Sequence, residues 1–248
     1  MFSTEINQWQ IIKTLTKYKI RAHSGSFTAM IAIQVLAALF SMGGLSGYSG
    51  SSGYINYSID SYSGNLIHGF MMIWAFMSAV LLTTKSYRYE DFAFVTNRFT
   101  SNLSNMLFLG FACVIGGVTT FLASLGLKVI VISFVAESYM VSEEIATVTY
   151  LYGLLATILY FILAASLGYL IGSLVQINRA FIAGIPILIF GTVFLSDQMM
   201  DQQPLFEQLF AMYFRETSFI FFLVKIVLTI ILCFGASTLI MNKMEVRH

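Results

Sequence analysis

The chain has 248 residues, of which 58% are hydrophobic and only 10% charged, against about 25% charged in average soluble domains. With a mean hydropathy of +0.81, this excludes a secreted enzyme, a disordered tail and a nucleic-acid binder. A net charge of +1 provides no global field to draw an anionic partner. Apolar residues are gathered in blocks of about 20, the length of helix that crosses a hydrocarbon core of about 30 Å.

Residues 1–24 precede the first block and are polar, with no small-residue cleavage site to mark a removable signal. Ile6, Trp9 and Ile12 follow one stripe, while Lys13, Lys17 and Arg21 recur at four-residue spacing on another. The pattern predicts an interfacial helix on the inner membrane surface, anchored by Trp9, Lys13, Lys17 and Arg21. Ile11 and Lys19 fall outside it. The first span is expected over 27–45, and the Gly-, Ser- and Tyr-rich stretch 47–64 reads as a compact outer loop. A second span over 66–82 opens with His68, read as an interfacial residue.

Residues 85–102 are too many for a tight turn and mix aromatics with both charge signs. Tyr89, Phe92 and Phe99 suit anchors of a short helix whose Glu90, Asp91 and Arg98 face a partner; a solvated segment lying on head groups is the competing reading. The third span is expected over 106–127. Its apolar character runs on to Ala136, about 46 Å as helix, more than a bilayer needs. Gly126 and Lys128 interrupt this run, so either the helix projects beyond the outer surface or it breaks there.

The fourth span is expected over 147–172, with Ala164, Gly168 and Gly172 at every fourth position, where they admit a close neighbour. The fifth, 181–195, contains Gly184 and Pro186. The connection 196–218 follows Pro204 with Leu205, Phe206, Leu209, Phe210, Tyr213 and Phe214, the spacing of a short amphipathic helix. That helix either dips into the outer interface or caps the bundle. The sixth span is expected over 219–241. Lys128 and Lys225 each cost about 3 kcal/mol at a bilayer centre; they either snorkel outward, Lys225 toward an acid such as Glu216, or line a translocation path.

Positive residues are retained in the cytoplasm. Ten of the thirteen cations fall on one face: Lys13, Lys17, Lys19 and Arg21, then Lys85, Arg88 and Arg98, then Arg179, then Lys243 and Arg247. Asp60, Glu137, Glu143, Glu144, Asp197, Asp201, Glu207 and Glu216 mark the other. Both termini are therefore expected inside.

Chemistry of the chain's own is not legible. A phosphate-binding Gly-x-x-x-x-Gly-Lys-Ser/Thr loop, a Gly-x-Ser-x-Gly elbow and metal-ligand spacings are all missing from the sequence. Cys113 and Cys233 lie inside apolar blocks as small hydrophobes. We expect no catalytic residue, no metal and no cofactor bound by this chain. No ladder of Asp, Glu or His passes through the spans, which weakens an ion-coupled carrier. A non-transport immunity or sensor protein would use the same spans.

An interfacial N-terminal helix, six spans with both ends inside, a long segment between spans two and three and a structured outer connection together form an all-α membrane protein. The chain resembles the permease of a type-two (type V fold) ATP-binding-cassette exporter. Residues 94–105, Phe-Val-Thr-Asn-Arg-Phe-Thr-Ser-Asn-Leu-Ser-Asn, are similar to small permeases of this kind from Gram-positive bacteria, including those of phenol-soluble-modulin exporters. The resemblance implies a multi-pass protein of the cell membrane, paired with a second permease copy or a homologous permease. It also implies a cytosolic ATPase under each permease, holding the ATP and Mg. A coupling helix within 86–101 would dock on that ATPase, with Arg88, Tyr89, Glu90, Asp91, Phe92, Asn97 and Arg98 at the contact. Amphipathic peptides or other hydrophobic compounds are the implied cargo, which suits 13 Met and 23 Phe as an adaptable apolar wall.

Overall fold

The computed structural model describes residues 8–42, 46–52, 55–61, 64–84, 86–87, 97–134, 147–198, 205–214, 216 and 218–243. The chain is predominantly helical. In order, the elements are α1 (Gln8–Ala22), α2 (Ser24–Met42), a hairpin of β1 (Ser46–Ser52) and β2 (Ile55–Ser61), α3 (Asn65–Thr83), α4 (Arg98–Phe134), α5 (Thr147–Ile177), α6 (Ala180–Gln198), α7 (Leu205–Phe214) and α8 (Phe219–Lys243). Five of these, α2, α3, α4, α5 and α8, are long and apolar enough to cross a membrane.

At the centre is α5. It packs most extensively on α3, then on α8 and α4, and small residues let it do so. A Cβ added to Gly168 would strike the Phe76 carbonyl oxygen, and one added to Gly172 would strike Thr83 Oγ1. At Gly117 on α4, an added Cβ would lie 2.6 Å from Ile158 of α5. With lipid on the outside there is no water to drive helices together, so close van der Waals approach at small residues carries the association. Around these contacts Met71, Phe108, Leu109, Phe161 and Tyr169 form a core that is 2% exposed or less. A polar clamp crosses it: the side-chain amide of Gln34 on α2 donates to Thr119 Oγ1 at 2.8 Å and to Thr120 Oγ1 at 3.1 Å.

Several boundaries differ from the sequence expectation. The third helix starts at Arg98, within the segment read as a connection, and continues without a break through Gly126 and Lys128 to Phe134. Its 37 residues span roughly 55 Å. Gly126 touches nothing that a side chain would disturb, and Leu127 and Val131, both 3% exposed, hold the outer turns against the bundle. Residues 135–136 of the expected apolar run lie outside the described residues. The stretch expected as a compact loop contains an antiparallel hairpin, with Ser46 opposite Ser61 and Ser52 opposite Ile55. Alternation of Ile55, Tyr57 and Ile59 with polar neighbours is the period-2 signal that suits it.

The expected fourth span, α5, runs on to Ile177, five residues beyond the expected end at 172. It is joined to α6 by Asn178 and Arg179, and Asn178 Oδ1 accepts from the Ala180 N–H at 2.9 Å, satisfying one of the open donors at the start of α6. The expected fifth block thus forms a 19-residue helix that holds Pro186 inside it. The short helix expected after Pro204 is α7.

Candidate functional site

Among the described residues, the most connected polar site lies where α1 docks on α4. Lys19 stands in the last turn of α1 and is buried there with Ile12 and Leu15. It is 2% exposed, and an ammonium so placed needs acceptors for its three donors. Lys19 Nζ donates to Ser104 Oγ at 2.8 Å and to Asn105 Oδ1, with the Ser101 carbonyl oxygen a longer third acceptor at 3.5 Å. The Ser104 hydroxyl is free to accept because its own proton goes to the Ser101 carbonyl at 2.7 Å.

From Lys19 the donors run in one direction. Asn105 Nδ2 donates to Tyr169 Oη on α5 at 3.3 Å, and Tyr169 Oη donates to Asn102 Oδ1 at 3.1 Å. Asn105 and Tyr169 each accept from one neighbour and donate to the next, an order in which the bonds strengthen one another. Asn102 Nδ2, at the end of the chain, is buried with no hydrogen-bond partner among the described residues. Helical spacing explains the layout. Ser101, Ser104 and Asn105 stand three and four residues apart on the face toward α1, and Asn102 and Asn105 stand three apart toward α5.

Two further contacts bring in α8. Ser237 Oγ donates to the Tyr169 carbonyl oxygen at 3.4 Å. Arg98 Nη1 approaches the Asn242 carbonyl oxygen at 3.4 Å, placing a cation at the negative end of α8. The first turn of α4 is closed by the Asn97 carbonyl, which accepts from Thr100 Oγ1 at 2.6 Å and from the Ser101 N–H at 3.1 Å. Four helices are therefore tied at one end of the bundle. Among the described residues this arrangement pairs no nucleophile with a base, and no three His, Cys, Asp or Glu are placed to hold a metal.

The residues singled out from sequence are distributed around this site. Trp9, Lys13, Lys17 and Arg21 lie on the exposed face of α1, with Lys13 Nζ 5.4 Å from the Trp9 ring centre. Ile12, expected beside Trp9 on one lipid-facing stripe, is instead turned into the protein, because α1 has a docking partner in α4. Asn97 and Arg98 form the start of α4. Arg88, Tyr89, Glu90, Asp91 and Phe92 lie outside the described residues. Ala164, Gly168 and Gly172 belong to buried stretches of α5, with Gly168 and Gly172 against α3. Lys128 is exposed on α4.

Lys225 sits at the opposite end of the bundle, bonded to Glu216 and 3.4 Å from the Met212 carbonyl oxygen. Around it, Tyr160 Oη donates to the Tyr213 carbonyl at 2.7 Å, and Tyr213 Oη meets Thr229 Oγ1 at 2.8 Å. The Tyr160 and Phe214 rings stack with centres 4.8 Å apart. These contacts fasten α7 across the ends of α5 and α8.

Sequence reasoning did not select Lys19, Ser104, Asn105 or Tyr169. The signal for Lys19 was its departure from the amphipathic pattern of α1. The signal for its partners was the density of Thr, Ser and Asn over 100–105 directly before an apolar run. No protein family profile, curated protein or solved structure matches the chain.

Proposed function

We propose that the protein is the permease subunit of an ATP-binding-cassette exporter, a six-span membrane protein with both termini in the cytoplasm of a Gram-positive cell. In this reading α6, 19 residues and roughly 28 Å long, joins α2, α3, α4, α5 and α8 as the fifth of six spans in chain order. A separate ATPase binds ATP and Mg, and this chain, paired with a second permease, carries amphipathic peptides or other hydrophobic compounds outward.

The observation that supports this reading best is the Lys19 network. The segment 85–102 leads into α4 at Arg98, and within two turns α4 is bonded to α1 through Lys19 and to α5 through Tyr169. A pull on the segment by a closing ATPase pair is thereby delivered to several helices together, through a contiguous set of bonds. Placing the coupling surface on Arg88, Tyr89, Glu90, Asp91, Phe92, Asn97 and Arg98 follows from the same reading. The exposed apolar faces of α6 and α8, with Ile187 68% and Leu232 61% exposed, provide surface for lipid and for the second permease.

Co-purification tests the proposal. The detergent-solubilised protein is expected to bring down an ATPase from its host, encoded by an adjacent reading frame. If it brings down none, the permease reading fails and a non-transport membrane subunit takes its place. Replacing Glu90, Asp91 and Phe92 with Ala is expected to abolish docking; unchanged docking and transport would mean that the coupling surface lies elsewhere.

A further inference from the structure

A cleft of about 620 Å³ lies between α2 and α3, beside the turn that joins α1 to α2. Its volume falls within the range of roughly 300 to 1,000 Å³ typical of sites for small amphiphilic molecules, and its lining changes character along its length. At the basic end are His23, Ser86 and Tyr87; the His23 ring lies 4.8 Å from the Tyr87 ring and 5.4 Å from that of Phe108. One turn further in, the hydroxyls of Ser26 and Ser78 approach to 3.5 Å. Beyond them the walls are apolar, reaching Ile33 on α2 and Ile73 on α3. From Leu82 to Ile73 the wall is roughly 13 Å long. Ile73 and Met77 are 63% and 51% exposed, so the cleft opens sideways to the bilayer.

We infer that this cleft holds one anionic phospholipid, with an acyl chain between α2 and α3 and the head group beside Lys17 and Arg21. Three features select that occupant. A slot that is apolar inside and open to the membrane is filled from the membrane. Its polar groups, His23, Ser86 and Tyr87 with Ser26 and Ser78 one turn further in, lie toward the mouth, where a head group meets water. Lys17 and Arg21 are exposed one turn apart on α1, immediately before the mouth residues Ala22 and His23, and basic pockets between spans take anionic head groups. Each such cation raises the preference for an anionic lipid about fivefold. The inference does not depend on the exporter reading, since it needs only the membrane and the basic end of the bundle.

Trp74 lines the cleft and is one of two tryptophans, so Trp9→Phe makes it a unique reporter. The full-length W9F protein is reconstituted in phosphatidylcholine vesicles, into which bromine-labelled phosphatidylglycerol or bromine-labelled phosphatidylcholine is titrated. Half-maximal quenching of Trp74 is expected at a mole fraction of phosphatidylglycerol at least about fivefold below that of phosphatidylcholine. Gly25 lines the cleft, and a Cβ added there meets nothing within 4 Å, so Gly25→Leu is expected to project into the slot from an uncrowded backbone position. That variant is expected to lose the preference while keeping its helix content. Neutralising the mouth with Lys17→Gln and Arg21→Gln is expected to bring the two titrations together. Equal quenching by both lipids in W9F means ordinary bilayer contact and overturns the inference. A preference that survives Gly25→Leu places the lipid elsewhere and overturns it as well.

Discussion

Lys19 and Lys225 occupy opposite ends of the bundle, and they differ in how far each is withdrawn from solvent. Lys225, with its side chain 31% exposed, meets the Glu216 carboxylate, itself 23% exposed. Lys19 is withdrawn from solvent, and the oxygens of Ser104 and Asn105 are among its partners. A partly exposed ion pair contributes little because each charge is already well solvated. A buried cation leaves its partners unsatisfied when it is removed, so the loss is larger. The difference places the end more sensitive to substitution at α1 and α4, and the more forgiving end at α7.

Substitutions that test this contrast differ in expected size. Lys19→Met keeps the apolar stem and removes the donors, stranding Ser104 Oγ and Asn105 Oδ1; it is expected to cost about 3 kcal/mol in equilibrium unfolding in mixed micelles and to release α1 to protease. Asn105→Leu breaks the relay between Lys19 and Tyr169 and is expected to cost about 2 kcal/mol by the same measurement. Lys225→Met is expected to cost about 1 kcal/mol or less, and the wild-type contribution should shrink in high salt because the pair is partly exposed. If Lys225→Met proved as damaging as Lys19→Met, the contrast between the ends would collapse. Asn102→Leu should matter least. It removes an acceptor for Tyr169 but also a buried amide nitrogen with no partner among the described residues, and these effects offset to within about 1 kcal/mol.

The helices themselves were largely legible, because a lipid solvent demands long uninterrupted apolar runs and the chain has them. The start of α4 was not, since Arg98, Thr100, Ser101 and Asn102 are a poor membrane signal; in the fold Ser101 meets α1, Asn102 meets α5, Arg98 meets α8 and Thr100 bonds back to Asn97. The hairpin of β1 and β2 was hidden by a composition rich in Gly and Ser, which reads as loop although alternation is present in β2. Of the polar site, Lys19 was visible only as an exception to a pattern. A one-dimensional pattern can say that a residue does not fit an amphipathic helix, but it cannot name the distant side chain that makes the exception favourable.

By itself, the sequence determined that this protein lives in a membrane, roughly where its helices run, and which end carries the positive charge. Those properties follow from local composition and from the cost of placing charge in hydrocarbon. Tertiary structure alone decided that α5 is the hub, that Gly168 and Gly172 meet α3, and that a lysine near the N-terminus is bonded to Ser104 and Asn105, about 85 residues away in the chain. Such pairings depend on which helix faces are brought together, and the apolar runs, polar or not at one position, leave that choice to packing.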